Sequence, residues 1–392
     1  YDVFSVGNFY NRTDSDSRFV RHDSATAGTD NFIAGNNAGD SIASGGNYNT
    51  LVGNEAGTAI TTGDFNVALG FEALKTEDAH GKNIAIGYQA LKVLDAGADG
   101  FNTVIGYQAG VSMNTGTVNT IIGHQAGDAL TTGNNNVAVG HEALGAEIQG
   151  DQSVAVGVGA LQAQSNSSDA DVNNTAVGYN AGLAVTTGTY NTLIGAKAGD
   201  ALTVGANNVV VGRAALSTDT QGSKTVAIGR NALINQNFSS ATDTYNVAVG
   251  DVAGSSITTG VQNTIMGGLA GDSLTDADYN VAIGYAALTS DTQGSRSTAV
   301  GTNALNAQNF SSATDAHNTA VGNNTGESIT TGIWNTIVGS ASGDALTVGQ
   351  YNVSIGGNTL STDTQGSRTT AVGYGALNGQ NQSSAADTYN VA

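Results

Sequence analysis

The chain has no cysteine and no proline in 392 residues, and only 12 lysines and arginines against 32 aspartates and glutamates. Without cysteine there is no disulfide, no thiolate nucleophile and no thiolate metal ligand. Collagen is excluded, because proline is absent and glycine does not fall at every third position. A net charge of -20 argues against binding a nucleic-acid backbone, which needs basic clusters. The same charge favours solubility and mutual repulsion between neighbouring fibres. Charged residues total 11%, well under the usual quarter or so. No apolar run approaches the ~18 residues that a membrane-spanning helix needs.

What the chain does have is glycine, 55 of them, and 39% hydrophobic residues in strict register, a pattern unlike that of disordered chains. The register is an internal repeat, Asn-(Thr/Val)-x-(Val/Ile)-Gly. It begins at Asn31, Asn49, Asn66, Asn83 and Asn102 and continues to Thr369, with a further copy opening at Asn390. From Asn102 the spacings run 17, 17, 17 and 21, so four coils make a 72-residue super-repeat that starts at Asn102, Asn174, Asn246, Asn318 and Asn390. A unit this short cannot bury a core alone but can when stacked. The expected fold is all-β: a parallel β-solenoid, or β-roll, of about twenty coils of 17–21 residues. At ~4.8 Å per coil it would make a rod on the order of 100 Å long.

Each position of the coil has a physical reading, counting the Asn as position 1. Positions 2 and 4 share one strand face, and we assign that face to the interior. Position 3 then faces outward, yet it too is apolar. Ile33, Leu51, Val104, Ile121, Leu193, Ile265 and Ile337 are therefore expected to form a self-association wall, most simply in a threefold bundle of solenoids. Position 5 is glycine throughout, suggesting a turn with φ > 0. Position 8 is almost always alanine, implying close contact between coil walls. A second short strand is expected around position 12, at Ile60, Leu130, Ile257 and Leu346. The recurrent Asn predicts an amide ladder or a turn before the strand, and the two are compatible.

Residues 1–30 depart from the repeat and are read as an N-terminal cap or an inter-subunit docking segment, with 31–392 as the solenoid. Tyr1-Asp2-Val3-Phe4-Ser5-Val6-Gly7 nevertheless looks like a coil opening, and Asn390-Val391-Ala392 is another. Either the chain is cut within a repeat, or Val3 and Val6 of one subunit dock on Asn390 and Val391 of the next, as open head-to-tail filaments require.

Chemistry is hard to assemble. The histidines are His22, His80, His124, His141 and His317, and only His124 and His141 share a coil phase, at position 6. No metal-protease motif, phosphate loop or Ser-His-Asp grouping occurs, so no catalytic residue, cofactor or metal site is assigned and an enzyme is not expected. Asp128, Asp200, Asp272 and Asp344 recur in one phase and Asp219, Asp291 and Asp363 in another. Like members fall four coils apart, ~19 Å, too far to share Ca²⁺, and are read as solvated turn residues. Sequons at Asn11, Asn166, Asn237, Asn309 and Asn381 predict a row of glycans if the source glycosylates extracellular Asn. Tyr179, Tyr245, Tyr285, Trp334, Tyr351 and Tyr374 offer rings either for stacking on sugars or for covering neighbouring coils.

Phrases such as Ser153-Val154-Ala155-Val156-Gly157, Thr225-Val226-Ala227-Ile228-Gly229 and Asn174-Thr175-Ala176-Val177-Gly178-Tyr179-Asn180-Ala181-Gly182 carry a family likeness. They resemble the head repeats of trimeric autotransporter adhesins and similar repeats in phage and viral tail fibres, although these coils are longer than the adhesin repeat. The resemblance implies a β-roll trimer at a cell or virion surface that binds matrix or surface glycans. The expected role is a structural or adhesive subunit of an extracellular fibre whose main partner is itself. The alternative is a receptor-binding tail fibre that recognises glycans.

Overall fold

The computed structural model describes residues 28–168, 170–382 and 384–392. Val3, Val6, Asn11 and His22 lie outside the described residues. The chain divides into two compact units, residues 1–187 and 188–392. Both are all-β with no helix among the described residues, and each is a parallel β-solenoid with roughly 17-residue spacing, about 21 turns being counted over the chain. In the first unit nine three-residue strands, from Phe32–Ala34 to Thr175–Val177, pair in parallel with their successors; in the second, eleven do so, from Thr192–Ile194 to Thr370–Val372. The register joins like to like: Thr120 faces Val137, Ile121 faces Ala138 and Ile122 faces Val139. Every position of the coil therefore forms a column.

The columns turn the opposite way from the sequence expectation. Leu51, Val104, Ile121, Leu193, Ile265 and Ile337 are wholly buried within their own solenoid, and Ile33 nearly so. Position 3 is the core, not an outer wall, and positions 2 and 4 face out. Strand alternation correctly separated the two faces, but both are apolar, so apolarity alone did not say which was inside.

Volume compensation decides it. Position 9 adopts a left-handed backbone in every complete described coil, as either Gly or Leu; Gly127 has φ 52° and Leu144 φ 56°. Where position 9 is Gly, a bulky residue at position 3 or an aliphatic at position 12 fills the space. A Cβ on Gly57 would lie 2.8 Å from Cδ2 of Leu51 and 2.8 Å from Cδ1 of Ile60. Where position 9 is Leu, as at Leu144 and Leu216, position 3 is small or medium (Ala138, Val210) and position 12 is polar (Glu147, Asp219), all of them buried; the coil of Leu91 differs, with Leu94 at position 12. The interior is filled to constant volume by trading these positions.

Position 5 requires glycine. Gly123 has φ 143°, and a Cβ there would sit 2.3 Å from the carbonyl oxygen of Gly140 in the next coil. The Asn column satisfies both sequence readings. Asn119 donates its backbone N–H to Oδ1 of Asn102 at 2.9 Å, while its own Nδ2 donates to the Gly133 carbonyl at 2.9 Å. These amides are buried and saturate backbone groups that would otherwise be stranded.

The second strand also differs from expectation. Position 12 sits in a run of turns, not in a strand. Two-residue strands form later in the coil, and only where position 12 is an acid or Gln: Gly150–Asp151 with Ala170–Asp171 in the first unit, and Gly222–Ser223 with Thr242–Asp243 and two equivalents in the second.

Candidate functional site

The outward face of each unit is built from positions 2 and 4. Across the twenty strands position 2 is Thr or Val apart from Phe32 and Ile84, position 4 is always aliphatic or Met, and no charged residue occurs at either. Exposure is substantial: Val209 is 38% exposed, Met266 41% and Val372 55%. At ~4.8 Å between strands and ~10 Å of width, the eleven strands of the second unit present roughly 500 Å² of uncharged surface. That lies at the upper end of the largest apolar patches on monomers, about 300–600 Å². Parallel sheets apolar on both faces are ordinarily covered on both.

The columns on either side of this face carry the aromatics. Immediately before the Asn, a residue in left-handed conformation points to solvent in every described coil, including Tyr48, Lys224 and Trp334. Its rings and cations stack along the column. Tyr48 lies on Phe65 at 5.0 Å and His317 on Trp334 at 4.0 Å. Lys224 sits over Tyr245 and pairs with Asp243, while Arg368 sits over Tyr351 and pairs with Asp387. Just after the strand, Phe71, Tyr88, Tyr107, His124 and His141 form an unbroken stack at 5.0–5.3 Å. His124 and His141 thus continue a ring ladder. Tyr245, Trp334 and Tyr351 each have a stacked ring or cation against them from a neighbouring coil yet stay about half exposed, as do Tyr179 and Tyr285, while Tyr374 is more open.

The sequons separate into two kinds. Asn237, Asn309 and Asn381 are exposed, and each accepts a threonine hydroxyl on Oδ1. Asn166 is half-buried, with Nδ2 donating to Glu147 at 2.9 Å. At the far end, Asn390 donates to Gln380, and Val391 bridges Thr370 in parallel while 82% exposed, so both open a further coil.

The carboxylates read as solvated turn residues are not all solvated. Asp219, Asp291 and Asp363 are wholly buried at position 12. Asp219 accepts the N–H of Gly222 at 2.9 Å and the side-chain amide of Gln236, position 12 of the next coil, at 2.7 Å. Gln236 in turn accepts from Asn246 at 2.8 Å. This acid–Gln–Asn relay anchors the long coil. Its signature, acid then Gln at position 12 of successive coils, was present in the sequence but hidden behind the aliphatic members of that column. Of the other phase, Asp128, Asp200 and Asp344 are pushed up by burial.

Among the described residues, one group of side chains could hold a metal ion: Glu77, Asp78 and His80. Comparison with known protein families, characterised proteins and solved structures finds no match to this chain.

Proposed function

We propose that the chain is a structural or adhesive subunit of an extracellular fibre or filament at a cell or virion surface. In this reading solenoids pack side by side through the outward columns at positions 2 and 4. The observation that carries it is the uninterrupted, uncharged outer strand face. With a second copy as occupant, the eleven strands of the second unit would bury about 1,000 Å² in total, near the lower bound for a specific interface. At ~25 cal/mol per Å² of apolar area that is at most about 25 kcal/mol gross, less the share of the Thr hydroxyls, against an association cost of about 4–15 kcal/mol. A threefold bundle distributes such faces among three copies.

Glycan recognition by a tail fibre has less support, because the His317–Trp334 contact covers a ring face that a sugar would stack on. The test is light scattering and electron microscopy of the native chain beside a variant carrying Val209→Lys, Val247→Lys and Val281→Lys. Assembly of the native chain and loss of assembly in a folded variant supports the reading. Monomeric native protein at all concentrations refutes it.

A further inference from the structure

The position 12 acids can be compared across the molecule. Glu147 receives six hydrogen bonds, four from backbone N–H groups at 2.8–3.2 Å and two from the side chains of Gln164 and Asn166. Asp219, Asp291 and Asp363 each have a Gln in the following coil as partner. Glu77 occupies the same position and is equally buried, yet the residue after it in the column is Leu94, also buried and apolar. Its oxygens accept only two long bonds, from the backbone N–H groups of His80 at 3.3 Å and Ala96 at 3.4 Å. Burial pushes the Glu77 carboxyl up to about 7.

What stands beside Glu77 in place of Gln is an imidazole. His80 Nδ1 is buried and makes no hydrogen bond, and it lies 3.7 Å from Glu77 Oε1, too far for one. Asp78, exposed, brings a second carboxylate, and the ligand atoms of all three residues lie within 4.8 Å of one another. A buried imidazole nitrogen with no partner, facing a buried carboxylate held by only two long bonds, is costly. A cation between them would satisfy both.

We propose that Glu77, Asp78 and His80 bind a divalent transition-metal ion of the zinc class, which closes this coil as Gln does in the four equivalent corners. One imidazole nitrogen and two carboxylate oxygens are ligands such an ion accepts at about 2.0–2.2 Å, with water completing the shell. The role is a structural staple, independent of the outer face.

The experiment titrates Zn²⁺ by calorimetry and Co²⁺ by visible absorption into the full chain, with thermal melting in parallel. One ion per chain is expected, with a rise in Tm. His80→Ala should weaken binding at least tenfold. Glu77→Leu should abolish it, and because Leu91 and Leu94 already share a coil, that variant should fold and melt no lower than the metal-free native chain. His124→Ala with His141→Ala should leave binding unchanged. Absence of one-to-one binding, or binding untouched by Glu77→Leu and His80→Ala, overturns the proposal.

Discussion

The inner column at position 3 and the outer columns at positions 2 and 4 are made of nearly the same residue types, yet they meet opposite surroundings. Ile121 is wholly buried, while its neighbours Thr120 and Ile122 are partly open to solvent. Inside, each residue is fitted to what faces it: where position 9 is Gly the space is filled by a large position 3 or, over Ala176, Ala248 and Ala320, by Val185, Ile257 and Ile329 at position 12; where position 9 is Leu, position 3 is small or medium. Outside, Thr and Val alternate with no such matching. Composition alone does not distinguish a core from an outer face; dependence on a partner position does.

The largest break in this comparison is a charge on the inner column. Ile121→Asp should cost at least about 4 kcal/mol, since it removes packing and buries an unpaired carboxylate. Ile122→Asp, one residue on but outward, should cost under about 1 kcal/mol. Urea denaturation followed by circular dichroism measures both; equal costs would deny the assignment of faces.

Next comes the glycine column. Gly123→Ala forces a Cβ to 2.3 Å from a carbonyl oxygen in a backbone region unsuited to L side chains. A loss of about 2–4 kcal/mol is expected. The same change at Gly373, φ 119°, meets no described atom within 4 Å and should cost about 1 kcal/mol from backbone strain alone. Their difference isolates the contact between stacked coils.

The smallest effect is electrostatic. Hydrogen bonds from Lys75, Lys92 and Gln89 hold the Glu72 carboxyl down at about 2, against an ordinary value of 4.5. A depressed folded-state value means stability that is complete above about 4.5 and is lost as pH falls toward 2. The lysines are partly exposed, so the loss should be about 1 kcal/mol. Glu72→Gln should flatten that portion of a melting-versus-pH series; an unchanged slope would show that the pairs contribute nothing.

Much of the fold was legible in the sequence. The Asn and Gly anchors and the 17, 17, 17, 21 spacing specify the coil, its register and its parallel pairing. The side facing inward was legible too, though only through positions 3, 9 and 12 taken together: Leu51 with Gly57 and Leu193 with Gly199, against Ala138 with Leu144, and Val185, Ile257 and Ile329 at position 12 where Ala176, Ala248 and Ala320 meet glycine. Reading positions 2 to 4 in isolation misses it. The acid–Gln relay was visible as Asp219 followed by Gln236 and Asp291 followed by Gln308, and the exception at Glu77 followed by Leu94 was visible with them. What the sequence could not show was that these acids are buried, because their partners are mostly backbone N–H groups contributed by turn geometry. The stacking of rings before and after each strand depends likewise on left-handed backbone at Trp334 and its equivalents, which no residue preference announces.

The absence of cysteine allows a direct test of the outer face. A single Val209→Cys places one thiol on the outward column, and Val204→Cys places one of similar exposure on a turn. Under mild oxidation at equal concentration, the first should form an intermolecular disulfide much faster than the second. Equal rates, or faster coupling through the turn, would contradict the claim that copies of this chain meet through positions 2 and 4.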